Sequence, residues 1–131
     1  MRDESILKTR SFSFAVRIVN LYKHLTSTFK EYELSKQILG SGTAIGSLIR
    51  EAQNAETKKD FIHKLGIAQK ECDETCYWLE LLYATDFLKK AEFNSLHPES
   101  VEILKMLKSA IITAKKNLDS DNSNKSKTHN L

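Results

Sequence analysis

Two neighbouring stretches of helical periodicity, separated by a short polar break, occupy the middle of the chain from Leu34 to Leu82. In the first, apolar or small residues recur every three or four positions along one helix face, namely Leu34, Ile38, Ser41, Ile45, Leu48 and Ala52. The second repeats this spacing with Phe61, Leu65, Ala68, Cys72, Cys76, Leu79 and Tyr83. Two amphipathic helices so close in sequence predict a packed helical hairpin.

The length and composition indicate one all-α domain. A chain of 131 residues with one Pro and four Gly favours helices over a turn-rich β fold. We predict helices over residues 4–29, 34–55, 58–87 and 98–118, with a short helical turn near 89–95. Thr57 is the expected N-cap of the third helix, and Pro98 suits the first turn of the fourth. The polar segment 119–131 is predicted to be a disordered tail.

The first helix carries apolar residues on two sides. Its main stripe is formed by Leu7, Phe14, Ile18, Leu21 and Leu25. A spacing of 100° per residue places Phe12, Val16 and Val19 almost opposite. A single broad core face with some exposed apolar residues is one explanation. We favour the other, in which the second face contacts another subunit.

A glycine-rich segment, residues 40–47, interrupts the second helix pattern. It lacks the lysine of a P-loop, and Ile45 stands where a dinucleotide fingerprint needs glycine. Each glycine inside a helix costs about 1 kcal/mol relative to alanine. We therefore interpret these glycines as sites of close approach by a neighbouring helix, within the packed hairpin.

Cys72 and Cys76 lie four residues apart in a helical pattern, which places both thiols on a core face. We expect them to be reduced and the protein to be cytoplasmic. A metal site would need further ligands, and none is indicated, so no metal or cofactor is predicted. The N-terminus does not resemble a signal peptide, and no apolar run approaches the roughly 20 residues that span a bilayer.

Glu71 and Glu74 lie one helical turn apart near Trp78. Two carboxylates beside an aromatic ring could form an acid/base pair, which would require strongly shifted pKa values in a cleft. We favour a structural ion pair with a basic residue of the neighbouring helix, such as Arg50, which would fix the register of the two helices. No catalytic residue is predicted.

The run from Leu34 to Leu82 looks like the signature of four-helix-bundle proteins encoded in intervening sequences of bacterial 23S ribosomal RNA genes. The matching elements are Ser35-Lys36-Gln37, Ser41-Gly42-Thr43, Arg50-Glu51-Ala52, Asp60-Phe61, Lys70-Glu71, Glu74-Thr75 and Tyr77-Trp78-Leu79. The accessory variability protein of diversity-generating retroelements is a more distant relative. Pro98 and the polar tail depart from the pattern. The resemblance implies an antiparallel up-down four-helix bundle over residues 1–118, assembled as a ring-like homopentamer without catalytic residues.

The retroelement relative resembles a scaffold that binds RNA and reverse transcriptase, and this favours RNA as a partner here by analogy. The net charge of +3 permits such binding but does not demand it. Candidate RNA-contacting residues are Arg2, Lys8, Arg10, Arg17, Lys23, Lys115 and Lys116. The alternatives are an adaptor that binds proteins only and, least favoured, an enzyme. Neither a membrane nor a small-molecule substrate is expected as a partner.

Overall fold

The computed structural model describes the backbone of residues 2–129 and the side chains of residues 6–124. Within these residues the chain forms no strand and has four helices: α1 (Arg2–Thr28), α2 (Leu34–Gln53), α3 (Lys58–Ala84) and α4 (Lys90–His129). The all-α prediction is confirmed, and the ends of the first three helices fall within about three residues of their predicted positions. Thr57 caps α3 as expected, since its hydroxyl accepts a hydrogen bond from the Asp60 amide at 3.1 Å.

The four helices pack in cyclic order. α1 packs on α2, α2 on α3 and α3 on α4, while α4 meets α1 over a shorter stretch. In the described part of the chain, no Cα atoms of the diagonal pairs α1/α3 and α2/α4 come within 8 Å of each other. Short connections between sequential neighbours reverse the chain each time, so the bundle is antiparallel and up-down. As a result α1 and α3 occupy opposite corners.

The core lies along the centre of this arrangement, and every helix contributes to it. The predicted stripe of the first helix is fully buried. The buried apolar residues are Leu7, Phe14, Ile18, Leu21 and Leu25 from α1, Ile38, Ile45, Ile49 and Ala52 from α2, Leu65, Ala68, Cys72, Cys76, Leu79 and Leu82 from α3, and Leu96, Ile103, Leu107 and Ile111 from α4, with Leu88 from the last connection. Tyr83, predicted to be in the α3 stripe, is instead exposed.

The connection between α1 and α2 is closed by one carboxylate. Glu31 Oε1 accepts hydrogen bonds from the Leu34 and Glu33 amides at 2.9 and 3.0 Å, and Oε2 accepts one from the Ser35 amide at 2.7 Å. Burial opposes ionisation of Glu31, but these backbone donors outweigh it and lower the pKa of the carboxyl. Glu31 thus supplies the free amides at the start of α2 with an acceptor.

α3 ends at Ala84, three residues before its predicted end, because the chain adopts a left-handed turn. Asp86 has a φ of 69°. The amide of Phe87 bonds to the carbonyl of Leu82 at 2.9 Å, and that of Asp86 bonds to the carbonyl of Tyr83 at 3.2 Å. This pair of bonds is the Schellman pattern that terminates many helices.

Two of the three glycines of α2, Gly42 and Gly46, face α1 and not α3, which corrects the packed-hairpin interpretation. A Cβ atom on Gly42 would lie 2.8 Å from Cγ2 of Ile18, and one on Gly46 would lie 3.5 Å from the carbonyl oxygen of Ser11. Gly40 has open space around it. The contact of α2 with α3 instead includes a buried hydrogen bond, in which the Thr75 hydroxyl donates to the Ser41 hydroxyl at 2.9 Å.

The fourth helix begins at Lys90 and continues through Pro98, so the predicted separate turn and later start were wrong. Pro98 lacks an amide hydrogen and leaves the carbonyl of Asn94 without its usual partner. Both residues are exposed, and water can bond to that carbonyl. Buried Leu96 and the stacking of Phe93 on Tyr83, with ring centroids 4.5 Å apart, hold the first turns against the bundle. Tertiary contacts therefore override the local effect of proline.

The polar segment after residue 118 continues α4 as far as His129 in the structure. Asp121 forms an ion pair with Lys58 at the start of α3. Its other described side chains, as far as Asn124, are exposed. The disorder of this tail stays a prediction, and the side chains from residue 125 onwards lie outside the described residues.

Candidate functional site

Two arginines that we predict to contact RNA form ion pairs that join α1 to α4. Arg10 forms an ion pair with Glu102, and Arg17 forms one with Glu99. Arg17 also donates to Ser95 through Nη2 to the hydroxyl at 2.6 Å and through Nη1 to the carbonyl at 3.3 Å. We call this contact the α1–α4 seam. Since their charges are neutralised within the chain, Arg10 and Arg17 fit a bracing role better than a role in binding an external anion.

A groove of about 420 Å³ runs between α3 and α4. Three lysines, Lys70, Lys108 and Lys115, line it, with a single carboxylate, Asp73. Its remaining lining comes from Ile62, Gly66, Gln69, Leu104 and Ile111. We call this surface the α3–α4 groove. It combines an apolar floor with a cationic rim.

The sequence identified only Lys115 of these three lysines. Lys108 and Lys115 are seven residues apart, so they lie on the same side of α4 as Leu104 and Ile111. That spacing was readable from the sequence. The position of Lys70 beside them was not, because it depends on how α3 packs against α4.

The other predicted RNA contacts are scattered. Lys8 lines a cleft between α1 and α2, whereas Lys23 and Lys116 are exposed elsewhere. The side chain of Arg2 lies outside the described residues. The structure therefore does not gather the predicted basic residues into one surface.

The second apolar side of α1 lies at the surface. Phe12 is 60% exposed, Val16 is 46% exposed, and Val19 is half-buried. Ile6, which the sequence argument did not include, is 40% exposed on the same helix. We call Phe12, Val16 and Val19 the α1 apolar face, and Ile6 lies about 120° around the helix from Phe12. A role in subunit contact remains a prediction.

Phe12 also borders the cleft between α1 and α2, which has a volume of about 830 Å³. Gly46, which has no side chain, and Ser47, which has a small one, line its wall together with the charged Arg50 and Lys64. Lys64 Nζ bonds to Glu51 Oε1 at 3.3 Å in this cleft. The cleft thus carries charges of both signs and does not select for an anion.

Arg50 does not form the predicted ion pair with Glu71 or Glu74. The bond between Ser41 and Thr75 fixes the register of the antiparallel α2 and α3, which places Arg50 level with residue 66. Glu71 is five residues further along α3, or about 7 to 8 Å at 1.5 Å per residue. Burial raises the pKa of Glu71, and the charge of Glu74 raises it further, while Lys70 opposes the shift. Neither carboxylate lines the α3–α4 groove or the α1–α2 cleft.

The two cysteines are free and buried, as expected, and both contact one serine of α4. Cys72 Sγ donates to the Ser100 carbonyl at 3.3 Å, and Cys76 Sγ donates to the Ser100 hydroxyl at 3.2 Å. The mutual interaction of the two neighbouring thiols raises the pKa of Cys72 and lowers that of Cys76. Neither sulfur borders the groove or the cleft, so the pair serves the packing of α3 on α4.

Among the residues that the structure describes, no group of three or more His, Cys, Asp and Glu side chains could hold a metal ion. The helices of that part of the chain also lack any segment long and apolar enough to cross a membrane.

The comparisons with known proteins agree with this architecture. A family model described as 23S rRNA-intervening sequence protein matches residues 3–109. The chain belongs to the 23S rRNA-intervening sequence protein family. It is similar, at 51% identity and a TM-score of 0.82, to the crystal structure of a protein of unknown function from the S23 ribosomal protein family of Bacteroides thetaiotaomicron VPI-5482. That similarity covers 83% of this chain and 97% of the other. No curated protein matches the chain.

Membership of the 23S rRNA-intervening sequence protein family confirms the resemblance seen in the sequence. The matched segment includes the α1 apolar face and, in the groove, Lys70 and Lys108, whereas Lys115 lies beyond it. Because the Bacteroides protein is described as having unknown function, the comparisons assign a family and a fold but no activity.

Proposed function

We propose that the protein is a non-enzymatic scaffold that self-associates through the α1 apolar face and binds structured RNA as an assembly. The assembly is a ring of five copies, the number implied by the family resemblance. Its role is to present the same RNA-binding surface several times. No chemical step on a substrate is part of this proposal.

The exposure of the α1 apolar face is the observation that carries the proposal. Burying a Phe or Val side chain fully contributes about 1.5–3 kcal/mol, and here Phe12 and Val16 are left largely in water. Because Phe12 borders the α1–α2 cleft, a second copy packed on α1 would also cover part of that cleft. Several apolar residues on one helix are typical of an interface.

Electrostatics support RNA as the ligand of the assembly. The net charge of +3 gives each subunit a weak attraction for phosphate. Five linked copies raise the effective concentration of the same weak site, so avidity exceeds the affinity of one subunit. The family name, 23S rRNA-intervening sequence protein, associates its members with ribosomal RNA and makes a ribosomal RNA segment the first ligand to test.

Light scattering at micromolar concentration tests the assembly. We expect a mass of about 75 kDa for five copies of a 15.0 kDa chain. The double substitution Phe12→Asp/Val16→Asp should give a folded monomer, because it places charges on the contact. Ile112→Asp is the matched control, since Ile112 is 55% exposed on α4, away from α1. A wild-type mass near 15 kDa would overturn the assembly proposal.

Binding to structured 23S ribosomal RNA at increasing salt tests the ligand. We expect affinity to fall steeply as salt rises, because lysine contacts to phosphate release counterions. Affinity that stays flat as salt rises would contradict RNA binding. Recovery of one protein partner from cells after nuclease treatment, with no RNA bound by the purified assembly, would instead favour the adaptor.

A further inference from the structure

We propose that the α3–α4 groove is the RNA-binding site, where lysines hold the phosphate backbone and one unpaired nucleotide enters the groove. This inference rests on the proposed function, which requires an RNA ligand but does not locate it. It moves the contact surface from α1, where the sequence placed most of it, to the side formed by α3 and α4.

The groove lysines form no ion pair with any of the described residues. Ion pairs among the described residues engage the basic groups of Arg10, Arg17, Lys58, Lys64 and His97. None of these pairs includes Lys70, Lys108 or Lys115. All three groove lysines are exposed, and their charges are therefore free to bind an external anion.

Another feature of the groove lysines is their spacing. Lys108 and Lys115 are seven residues apart, which is about 10 Å along α4 at 1.5 Å per residue. Lysine is a mobile point charge, so two lysines at this distance can contact different phosphates of one flexible strand. Lys70 lies on the α3 side of the same groove. Phosphates can thus be held from both walls.

The floor of the groove is apolar. Ile62 and Leu104 are partly exposed there and offer apolar surface for the face of a base, while Ile111 is almost fully buried. At Gly66 a Cβ atom would have no neighbouring atom within 4 Å, so open space lies above the backbone there. The groove volume of about 420 Å³ falls in the range of small-ligand sites, about 300–1,000 Å³. One unstacked base fits this combination better than a rigid duplex does.

The polar groups beside the floor suit a nucleotide as well. Gln69 offers an amide that both donates and accepts, and Asp73, four residues later on the same side of α3, accepts. Such groups can bond to base edges or to a 2′-hydroxyl, which is how proteins recognise unpaired RNA. A peptide ligand would need to be strongly acidic to match the three lysines.

The position of the groove also fits the proposed assembly. α3 lies at the corner of the bundle opposite α1, and no Cα atoms of the two helices come within 8 Å of each other in the described residues. A second copy packed on the α1 apolar face therefore does not cover the groove of the subunit that carries this face. The α1 apolar face and the groove share no residue, so each can be altered by its own substitutions.

The test uses a labelled RNA hairpin with an unpaired loop, and two triple variants with the same loss of charge. One is Lys70→Gln/Lys108→Gln/Lys115→Gln. The control is Lys23→Gln/Lys36→Gln/Lys90→Gln, which removes exposed lysines outside the groove. We expect the groove variant to lose about 100-fold in affinity at low salt. The slope of log K against log salt should fall by about 2, since each contact to a single strand adds about 0.7.

A second pair of variants separates the shape of the groove from its charge. Gly66→Leu should weaken hairpin binding at least tenfold without changing the salt slope, because the side chain fills the space for the base. Gly40→Leu is its control, since Gly40 is likewise helical and exposed with no atom within 4 Å of a Cβ. Light scattering confirms that each variant keeps the mass of the wild type.

The outcomes distinguish this inference from the proposed function. An equal loss in both triple variants, with wild-type binding intact, would overturn the groove as the site but leave RNA binding standing. The same holds if Gly66→Leu binds as tightly as Gly40→Leu. Absence of binding by the wild-type assembly would overturn both proposals.

Discussion

Charged side chains on the two sides of α4 differ in whether they form ion pairs with a neighbouring helix. Toward α1, Glu99 and Glu102 receive the guanidinium groups of Arg17 and Arg10. Toward α3, Lys108 and Lys115 line the α3–α4 groove and form no ion pair among the described residues. A count of basic residues would treat both sides alike, whereas their partners separate a structural surface from one able to bind an anion.

The chemistry of the two cations matches this difference. Arginine offers several donors in a fixed plane, and Arg17 uses them to contact Glu99 and two atoms of Ser95 at once. Lysine carries a mobile point charge that can follow a flexible polyanion. The Arg10–Glu102 pair is about half exposed and therefore contributes little, on the order of 0–1 kcal/mol. Arg17 makes more hydrogen bonds and is less exposed than Arg10, so it should contribute more to stability.

The largest effect should come from removing the support that both sides of α4 share. Leu107 is fully buried below them, and Leu107→Ala should lower the free energy of unfolding by about 2–5 kcal/mol. Denaturant unfolding followed by circular dichroism measures this loss. Ile112→Ala, on the exposed surface of α4, should change stability by less than about 0.5 kcal/mol. Equal losses in the two variants would show that α4 does not pack as described.

Two glycine substitutions should act with opposite sign. Gly42→Ala pushes a methyl group against Ile18 and should cost about 1–3 kcal/mol. Gly66→Ala, above the open groove, should stabilise α3 by up to about 1 kcal/mol, since alanine is the better helix former. Thermal unfolding of the two variants against the wild type provides the measurement. A gain in stability for Gly42→Ala would contradict the close approach of α1 and α2.

A pair of charge removals tests the two sides of α4 directly. Arg17→Ala should lower stability by about 1–2 kcal/mol, because it leaves Glu99 and Ser95 without their donor. Lys108→Ala should change stability by less than about 0.5 kcal/mol, because that side chain has no ion-pair partner in the described chain. At high salt, which screens the ion pair of Arg17, the two variants should differ less in their free energies of unfolding. A larger loss of stability for Lys108→Ala than for Arg17→Ala would contradict a structural role for Arg17 and a purely surface role for Lys108.

The smallest effect concerns a carboxyl beside the groove. Burial raises the pKa of Glu71, and Lys70 partly opposes that shift. Lys70→Gln should therefore raise the pKa of Glu71 further, which NMR titration of the side-chain carboxyl can follow. Because the folded pKa is raised, Glu71 contributes stability at low pH that is lost as the pH rises through the folded value. Glu71→Gln should reduce this part of the pH dependence.

Local signals explain the success of the helix predictions. Leu34 begins α2, and Thr57 caps α3 at the expected residue, because periodicity and capping act within a few positions of the chain. The predicted start of the fourth helix at Pro98 was wrong, because it took account only of the local effect of proline. Leu96 and Phe93, which hold the helix through that point, act through contacts with other elements.

The candidate site was less predictable than the fold. The exposed positions of Phe12 and Val16 followed from the helical spacing alone. The ion pairs of Arg10 and Arg17 could not be predicted from helical spacing, because their partners lie more than 80 residues away in sequence. The expected pairing of Arg50 with Glu71 failed for a related reason, since the register of α2 against α3 was unknown.

Patterns repeated within a helix are enough to predict the four helices, most of their buried faces and the family. They do not show which helices are neighbours, that Gly42 faces Ile18, or which cations form ion pairs, because these depend on how the helices pack. Charge pairing across a bundle depends on register and on neighbour order, and the local sequence encodes neither. For this reason Lys70, unremarkable in the sequence, lies beside Lys108 and Lys115 in the folded protein.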